Sequence, residues 1–297
     1  MELLHNNYMR SEGHGPTFCV EIDPPSRPVK SYFEETVTAC EMIWSQKEGP
    51  LQLCLSGGLD SEYVFSVLLK LGMKVEPVIM RTKYNSPEIK FAYKFCYEHN
   101  IEPTVIDLDF DQFIASDQYL EIAELMMCSD WRIPVNMWLA EQLTGTVITG
   151  NDPPHMKLNT NDNLWYLDEE EIIHSQLRYW KVKGIKGTPF LLSYTPEMML
   201  SFLADPTMEK LANHGFPGKQ GTNSTKIHVF NNGSGFNLEQ RIKKHGYELV
   251  EKFPIFSHPN IQLIRSWKSK WRGTSDHQYH QVVEKLKSGR SSKSFSS

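Results

Sequence analysis

Apolar positions recur at helical spacing between Ser31 and Gln46, at Phe33, Val37, Cys40 and Trp44, and the pair Gly49-Pro50 then closes that helix. Leu51-Gln-Leu-Cys-Leu55 follows as a short apolar run of strand character. A glycine turn interrupts it, and Glu62 to Leu71 resumes as an apolar helix closed by Gly72. The alternation then continues. Val75 to Met80 reads as a strand, Pro87 to His99 as a helix and Thr104 to Leu108 as a strand. Trp138 to Leu143 belongs to another helix, and Thr146 to Thr149 is a strand that ends at Gly150.

Strands alternating with helices of this length imply right-handed crossovers and a parallel sheet covered on both faces, an α/β architecture. Such sheets bind ligands beyond the carboxyl ends of their strands. The two glycine-containing turns, after Leu55 and after Thr149, both fall at such ends.

Outside this block the pattern changes. Residues 1 to 30 hold one short apolar run, Thr17 to Ile22, among His, Asn, Gly and Pro, and read as an extended arm able to add an edge strand. Beyond about residue 165 helix-like segments dominate, Glu169 to Trp180 and Glu197 to Leu203 among them, broken at Pro189, Pro196 and Pro206. The serine-rich tail from Ser288 to Ser297 has little to bury and is expected to be disordered. The 297 residues thus divide into an arm and helix (1–48), an α/β core (49–160), a mainly helical region expected to carry substrate specificity (161–287) and the tail (288–297).

Composition narrows the class. Hydrophobic residues make up 40% and charged residues 23%, near the norm for a soluble globular protein, and no apolar stretch approaches the roughly 20 residues of a membrane helix. The opening Met-Glu-Leu-Leu-His lacks the basic start and apolar run of a secretory signal, so the cytoplasm is the expected compartment. Five scattered cysteines with no C-x-x-C pair agree with that and read as buried thiols. A formal charge of −5 argues against a general nucleic-acid binder, and the basic residues of the C-terminal quarter read as a solvated face.

The chemistry concentrates in Ser56-Gly57-Gly58-Leu59-Asp60-Ser61, between the apolar strand and its helix. Glycines let the backbone turn sharply and approach phosphate oxygens, while the amides of the first helical turn and the helix dipole favour an anion there. Ser56 and Ser61 add hydroxyl donors. Asp60 is placed either to hold a magnesium ion or to tie down the loop amides. No G-x-x-x-x-G-K-[ST] sequence is present, so the lysine that clamps phosphates in kinases and motor ATPases is missing, and reaction at the γ-phosphate is disfavoured.

Ser56-Gly-Gly-Leu-Asp-Ser61 after an apolar strand resembles the signature of the PP-loop ATP pyrophosphatases, the adenine nucleotide alpha-hydrolase-like enzymes. The stretch Tyr84-Asn-Ser-Pro-Glu88 to Ala92, followed by Asn100 to Leu108, is similar to the matching part of asparagine synthetases and 7-cyano-7-deazaguanine synthases. The resemblance spans roughly residues 50 to 152. It implies a Rossmann-like sheet and attack on ATP at the α-phosphate, giving a substrate adenylate and pyrophosphate, then displacement of AMP by a nitrogen or sulfur nucleophile. ATP and Mg²⁺ are the implied cofactors, with adenine near Val78 to Arg81, at Met80. Thr149-Gly150-Asn151-Asp152 looks like the second family element, with Gly150 opening the pocket and Asp152 joining Asp60 on the metal. The same Asn-Asp-Pro-Pro stretch also forms a good turn without any ligand.

Pyrophosphate departure calls for a cation, which the resemblance implies comes from beyond the core; the candidates are Lys181 first, then Lys183, Lys186 and Arg81, and each also reads as a solvated surface charge. Glu88 and Ala92 read as parts of an ordinary amphipathic helix rather than a catalytic pair. Asp276, His277 and His280 read as a polar helix surface, and Trp267-Lys-Ser-Lys-Trp271-Arg272 as a packing helix. The chain lacks the second-position cysteine of a glutaminase and the cysteine cluster of the deazaguanine synthases. The leading expectation is therefore an ATP-dependent adenylating ligase or amidotransferase-like enzyme acting on a small molecule. The alternatives are an RNA-modifying or sulfur-transferring relative, with tRNA as substrate, and a nucleotide-binding protein without turnover.

Overall fold

The computed structural model describes residues 9–12, 17–151, 153–154, 156–159, 161–167, 170–214, 221–239, 246–269, 272–273 and 278–288. Its first elements are β1 (Met9–Glu12), β2 (Thr17–Ile22) and α1 (Tyr32–Gln46). The core follows with β3 (Leu51–Cys54), α2 (Leu59–Lys70), β4 (Val75–Arg81), α3 (Ser86–Glu98) and β5 (Thr104–Asp107). Three helices, α4 (Phe110–Ala115), α5 (Asp117–Met126) and α6 (Ile133–Glu141), then lead to β6 (Thr146–Thr149). A small hairpin, β7 (Met156–Asn159) and β8 (Leu164–Leu167), precedes α7 (Glu170–Lys183) and the two-residue β9 (Gly187–Thr188). The remainder is mainly helical: α8 (Pro196–Leu203), α9 (Pro206–His214), α10 (Gly221–Asn231), α11 (Gly246–Val250), α12 (Pro259–Ser266), the short β10 (Arg272–Gly273) and α13 (Tyr279–Ser288).

The main sheet has five strands in the order β5-β4-β3-β6-β9, and every neighbouring pair is parallel. Numbered within the core, that order is 3-2-1-4-5, the Rossmann-like arrangement in which the chain reverses direction across the sheet between the first and fourth strands. Apolar strands can only be buried on both faces if helices cover both. One cluster, with Leu51, Leu53 and Ile79 from the strands, packs against α1, α2, α3, α8, α10 and α13. The other, with Val147, packs against α4 to α7, α11 and α12. The C-terminal helices thus complete both layers of the core.

The N-terminal arm departs from expectation. β2 pairs antiparallel with β1 and parallel with β10 in a separate three-stranded sheet, so it is not an edge of the main sheet. The chain after it is pinned to the core by two buried carboxylates. Glu197 accepts from the amides of Ser26 and Arg27 at 2.7 and 3.0 Å, and Glu35 accepts from Arg27 Nη1 and from the Lys30 amide, both at 2.8 Å. The edges of the main sheet are instead β5 and β9, and the pairing of β9 depends on Gly187: its φ is +114°, and an added Cβ would lie 1.8 Å from the Val147 carbonyl oxygen. The tail after Ser288 and the residues Asp276, His277 and Trp271 lie outside the described residues. Trp267 is buried in the second core cluster, in keeping with a packing role, and His280 is exposed at the start of α13.

Candidate functional site

The Ser56 to Ser61 loop stands at the carboxyl end of β3. Gly57 holds a φ of +80°, and a Cβ there would lie 2.3 Å from the carbonyl oxygen of Glu88, so the turn is seated directly against the first turns of α3. Gly58 is the N-cap of α2 and contributes no side-chain cap, and Leu59 begins the helix, three residues earlier than the apolar pattern predicts. Asp60 and Ser61 therefore sit within the first turn, where the amides and the helix dipole face the cavity. The hydroxyls organise the turn: Gly58 N donates to Ser56 Oγ at 3.2 Å, Ser61 Oγ donates to the Gly58 carbonyl at 3.0 Å, and the two serine oxygens lie 3.3 Å apart.

Across the switch point, β6 ends at Thr149 and Gly150. An added Cβ on Gly150 would lie 2.6 Å from Ser61 Cα and 2.7 Å from Ser61 N, so only glycine lets the two strand ends come this close. The β6 end is held by Thr149 Oγ1 donating to the Pro189 carbonyl at 2.5 Å. Asn151 Nδ2 bridges Pro189 O at 2.8 Å and Gln176 Oε1 at 3.0 Å. Between the strand ends opens a cavity of about 230 Å³. Ser56, Asp60, Ser61, Met80 and Gly150 all line it, so the loop, the expected adenine strand and the second glycine element converge on one space. Gly57, Gly58 and Leu59 supply backbone to the turn, and the Leu59 side chain packs on the core. Asp152 lies outside the described residues.

The expected cations are elsewhere. Lys181 is exposed in the last turn of α7, Lys183 pairs with Glu141 at 2.7 Å, and Lys186 pairs with Glu48. The physical reason is strand direction. α7 delivers the chain to the start of β9, which runs parallel to β6, so its last turn lies at the amino end of the sheet, opposite the loop. Arg81 is at the correct end but forms an exposed two-bond pair with Asp107, at 2.5 and 2.7 Å.

The cation beside the loop is Lys226, on α10, which no motif marks. Its Nζ donates to Asp60 Oδ2 at 2.7 Å, and the two side chains are only 7% and 12% exposed. Aromatic packing sets this pair. Phe230, one turn further along α10, stacks on Tyr63 of α2 with centroids 4.1 Å apart and planes within 5°, and also on Tyr32 of α1 at 5.9 Å. Asp60 and Tyr63 share a face of α2 at i, i+3, and Lys226 and Phe230 share a face of α10 at i, i+4. The stacked rings therefore bring the carboxylate and the ammonium together. Lys70 Nζ donates to the Ser234 carbonyl at 2.6 Å and fixes the chain beyond α10.

The turn after β4 adds polar groups to a largely apolar wall, and none of the described lining residues is Lys, Arg or His. Asn85 Nδ2 donates to the Met80 carbonyl at 2.8 Å and its Oδ1 accepts from the Thr82 amide at 2.9 Å, closing the turn after β4. Glu88 also lines the cavity, contrary to its reading as an ordinary surface position. Cys54 reaches the cavity at the end of β3, and burial pushes its thiol up to about 12. Burial likewise raises Cys40 to about 12 and Cys96 to about 11. Among the described residues no group of three or more His, Cys, Asp or Glu is gathered as a metal cage.

No protein-family model matches the chain. No curated protein matches it. Solved structures give partial likenesses. A predicted tRNA methyltransferase subunit from Methanocaldococcus jannaschii is 16% identical, with 78% of this chain and 95% of that one covered, at a TM-score of 0.34. NMN synthetase from Francisella tularensis is 14% identical over 81% and 94%, at 0.30. NH3-dependent NAD synthetase from Campylobacter jejuni subsp. jejuni is 18% identical over 82% and 98%, at 0.34. At these scores the architecture rests on the strand order itself.

Proposed function

We propose that this protein binds ATP with its phosphates on the Ser56 to Ser61 turn and adenylates a small substrate, releasing pyrophosphate, before a nitrogen nucleophile displaces AMP. The observation that supports this reading is the junction of β3 and β6, where a positive-φ glycine turn without a side-chain cap and Gly150 enclose one cavity at the switch point of the sheet. The amides of the first turn of α2 and the Ser56 and Ser61 hydroxyls bind phosphate oxygens, and Lys226 offsets the charge that develops on the departing pyrophosphate. Met80 and Val78 supply an apolar wall for the adenine.

Asp60 is a hard oxygen donor beside the phosphate-binding amides, which fits a magnesium site that Mg²⁺ usually shares with substrate phosphates rather than a protein cage. Asp60, with Asp152 as a second candidate, would hold the ion, whose chemistry when bound is neutralisation of phosphate charge. Lys226 shares the Asp60 carboxylate, so Asp60 both orients the ammonium and presents an oxygen to the nucleotide end.

Sulfur transfer is the weaker reading, because the thiolate is the reactive species and the Cys54 thiol is held far above neutral pH. The deciding experiment is incubation with magnesium-ATP and candidate acid, amine and tRNA substrates, with AMP separated from ADP. AMP and pyrophosphate formation abolished in Asp60→Ala supports the proposal; predominant ADP refutes it, and binding of ATP without either product leaves a nucleotide-binding role in its place.

A further inference from the structure

Asn151, just past the end of β6, orients the side chain of Gln176 on α7. The Pro189 carbonyl can only accept a hydrogen bond, so the Asn151 atom 2.8 Å from it is the amide nitrogen Nδ2. That same nitrogen lies 3.0 Å from the Gln176 amide, so the Gln176 atom facing it is the oxygen Oε1. Thr149 Oγ1 donates to the same Pro189 carbonyl at 2.5 Å and ties this chain of contacts to β6. The other half of the planar Gln176 amide, the donor Nε2, is therefore turned away from Asn151. No described residue accepts from it. Gln176 is only 2% exposed and lines the cavity together with Asn151, Gly150 and Ser61. A buried amide donor without an acceptor is costly to keep, and one fixed in a cavity wall offers a place for a ligand oxygen.

Sheet order and layering decide which oxygen. β4, β3 and β6 are consecutive in the sheet. With adenine at the β4 end and the phosphates on the turn after β3, a nucleotide reaches β6 at its phosphate end, where pyrophosphate or the group attacking the α-phosphorus can lie. The two helix layers separate these. α2 and α10, which carry Asp60 and Lys226, pack with α1 on one face, whereas α7 packs against α5 and α6 in the other layer. In phosphoryl transfer the attacking and leaving oxygens stand roughly in line on opposite sides of the phosphorus. Pyrophosphate drawn toward Lys226 thus leaves the Gln176 side to the attacking group.

Resting on the ATP-site reading above, we infer that Gln176 binds the acceptor substrate, its Nε2 donating to a carboxylate or amide carbonyl oxygen of the molecule to be adenylated, and that Asn151 is the residue that positions it. The acceptor oxygen forms the bond to the α-phosphorus as the bond from that phosphorus to the bridging oxygen breaks, and the electron pair departs with pyrophosphate. A carboxylate enters this step already ionised, with no proton to remove. An ammonium group has no lone pair with which to accept from Nε2 and is disfavoured at this position.

The test uses the full chain loaded with magnesium and α,β-methylene-ATP, so that binding is read without turnover. Two isosteric series are titrated by calorimetry: butyrate, butyramide and butylamine, and benzoate, benzamide and benzylamine. In at least one series the acid or the amide is expected to bind at least tenfold more tightly than the amine, the scale of one buried hydrogen bond. Gln176→Met should weaken that ligand tenfold or more at unchanged affinity for the nucleotide, which also shows the variant to be folded. Gln176→Glu keeps the shape and the Asn151 bond but not the amide donor, and should weaken the acid more than the amide. Asn151→Asp can no longer donate to Gln176 Oε1 and should weaken the same ligand as Gln176→Met does. Absence of the preference over the amine in both series, indifference to Gln176→Met or to Asn151→Asp, or a fall in nucleotide affinity in Gln176→Met overturns the inference. A protein that binds the probes as expected but releases no pyrophosphate from ATP keeps the subsite and loses the adenylation reading, so the two failures are distinct.

Discussion

Replacing Lys226 with methionine separates a structural role from a catalytic one. At 2.7 Å in an effective dielectric of about 20, the Coulomb attraction between Lys226 and Asp60 is about 6 kcal/mol, much of it offset by the desolvation of both groups. Truncating one partner keeps the desolvation of the other, because the Asp60 side chain is only 12% exposed, so the expected loss is about 3–5 kcal/mol. For a chain of this size that corresponds to a fall of about 6–10 °C in melting temperature. Asp60→Asn/Lys226→Met removes both charges and should regain most of that stability. Activity should behave differently. Withdrawing a buried cation from the departing pyrophosphate should lower kcat for AMP formation about 10²- to 10³-fold, and the double variant should not recover it. The assays are calorimetric melting and pyrophosphate release. Lys226→Met melting with the parent protein would refute the buried pair. A destabilised Lys226→Met forming AMP at the parent rate would refute the cation role and leave Lys226 a packing residue.

Gly150→Ala should abolish nucleotide binding, because the new Cβ meets Ser61 backbone at 2.6 Å and neither strand end can yield without opening the turn; ATP titration monitored by calorimetry checks this. Burial and the neighbouring Arg178 lower His174 to about 4, so the unfolded chain takes up a proton that the folded one refuses between pH 6.5 and about 4. The stability is fully present above pH 6.5 and lost as pH falls through that window, and His174→Gln should flatten this part of a urea-midpoint profile against pH. Arg27→Met strips the bidentate partner from the fully buried Glu35 and should cost about 3 kcal/mol in urea unfolding, the low end for such a pair because the arginine side chain is 33% exposed.

The core was legible because its signals are local. The apolar run at Leu51 to Leu55, the glycine turn and the helix after it lie side by side in the chain, and the same is true of Thr146 to Gly150. The structure joins the two at neighbouring parallel strands, in the register Cys54 to Thr149. What escaped local reading was short or masked by polar neighbours. β9 is two residues long before Pro189, too brief for any period to register. The crossover from β5 to β6 holds α4 and α5, unread beside α6, because the capping residues Asp109 and Ser116 that start them stand close together and resemble loop chemistry.

The cation shows why periodicity alone could not complete the site. Lys181, Lys183 and Lys186 were candidates because the resemblance implies a cation from beyond the core, yet a helix that feeds a parallel strand must end at the amino edge of the sheet, which places all three away from the phosphate end by topology. Lys226 lies 166 residues from Asp60 along the chain. It reaches the loop because Phe230 packs on both Tyr63 and Tyr32, and that cluster depends on α10 returning across α1 and α2. Asp60 and Tyr63 share one face of α2, and Lys226 and Phe230 share one face of α10. Only tertiary packing makes the two faces meet. The aromatic pair thus carries information for the charged pair, and a loss of Phe230 should therefore reach the nucleotide end through Lys226 as well as through the core.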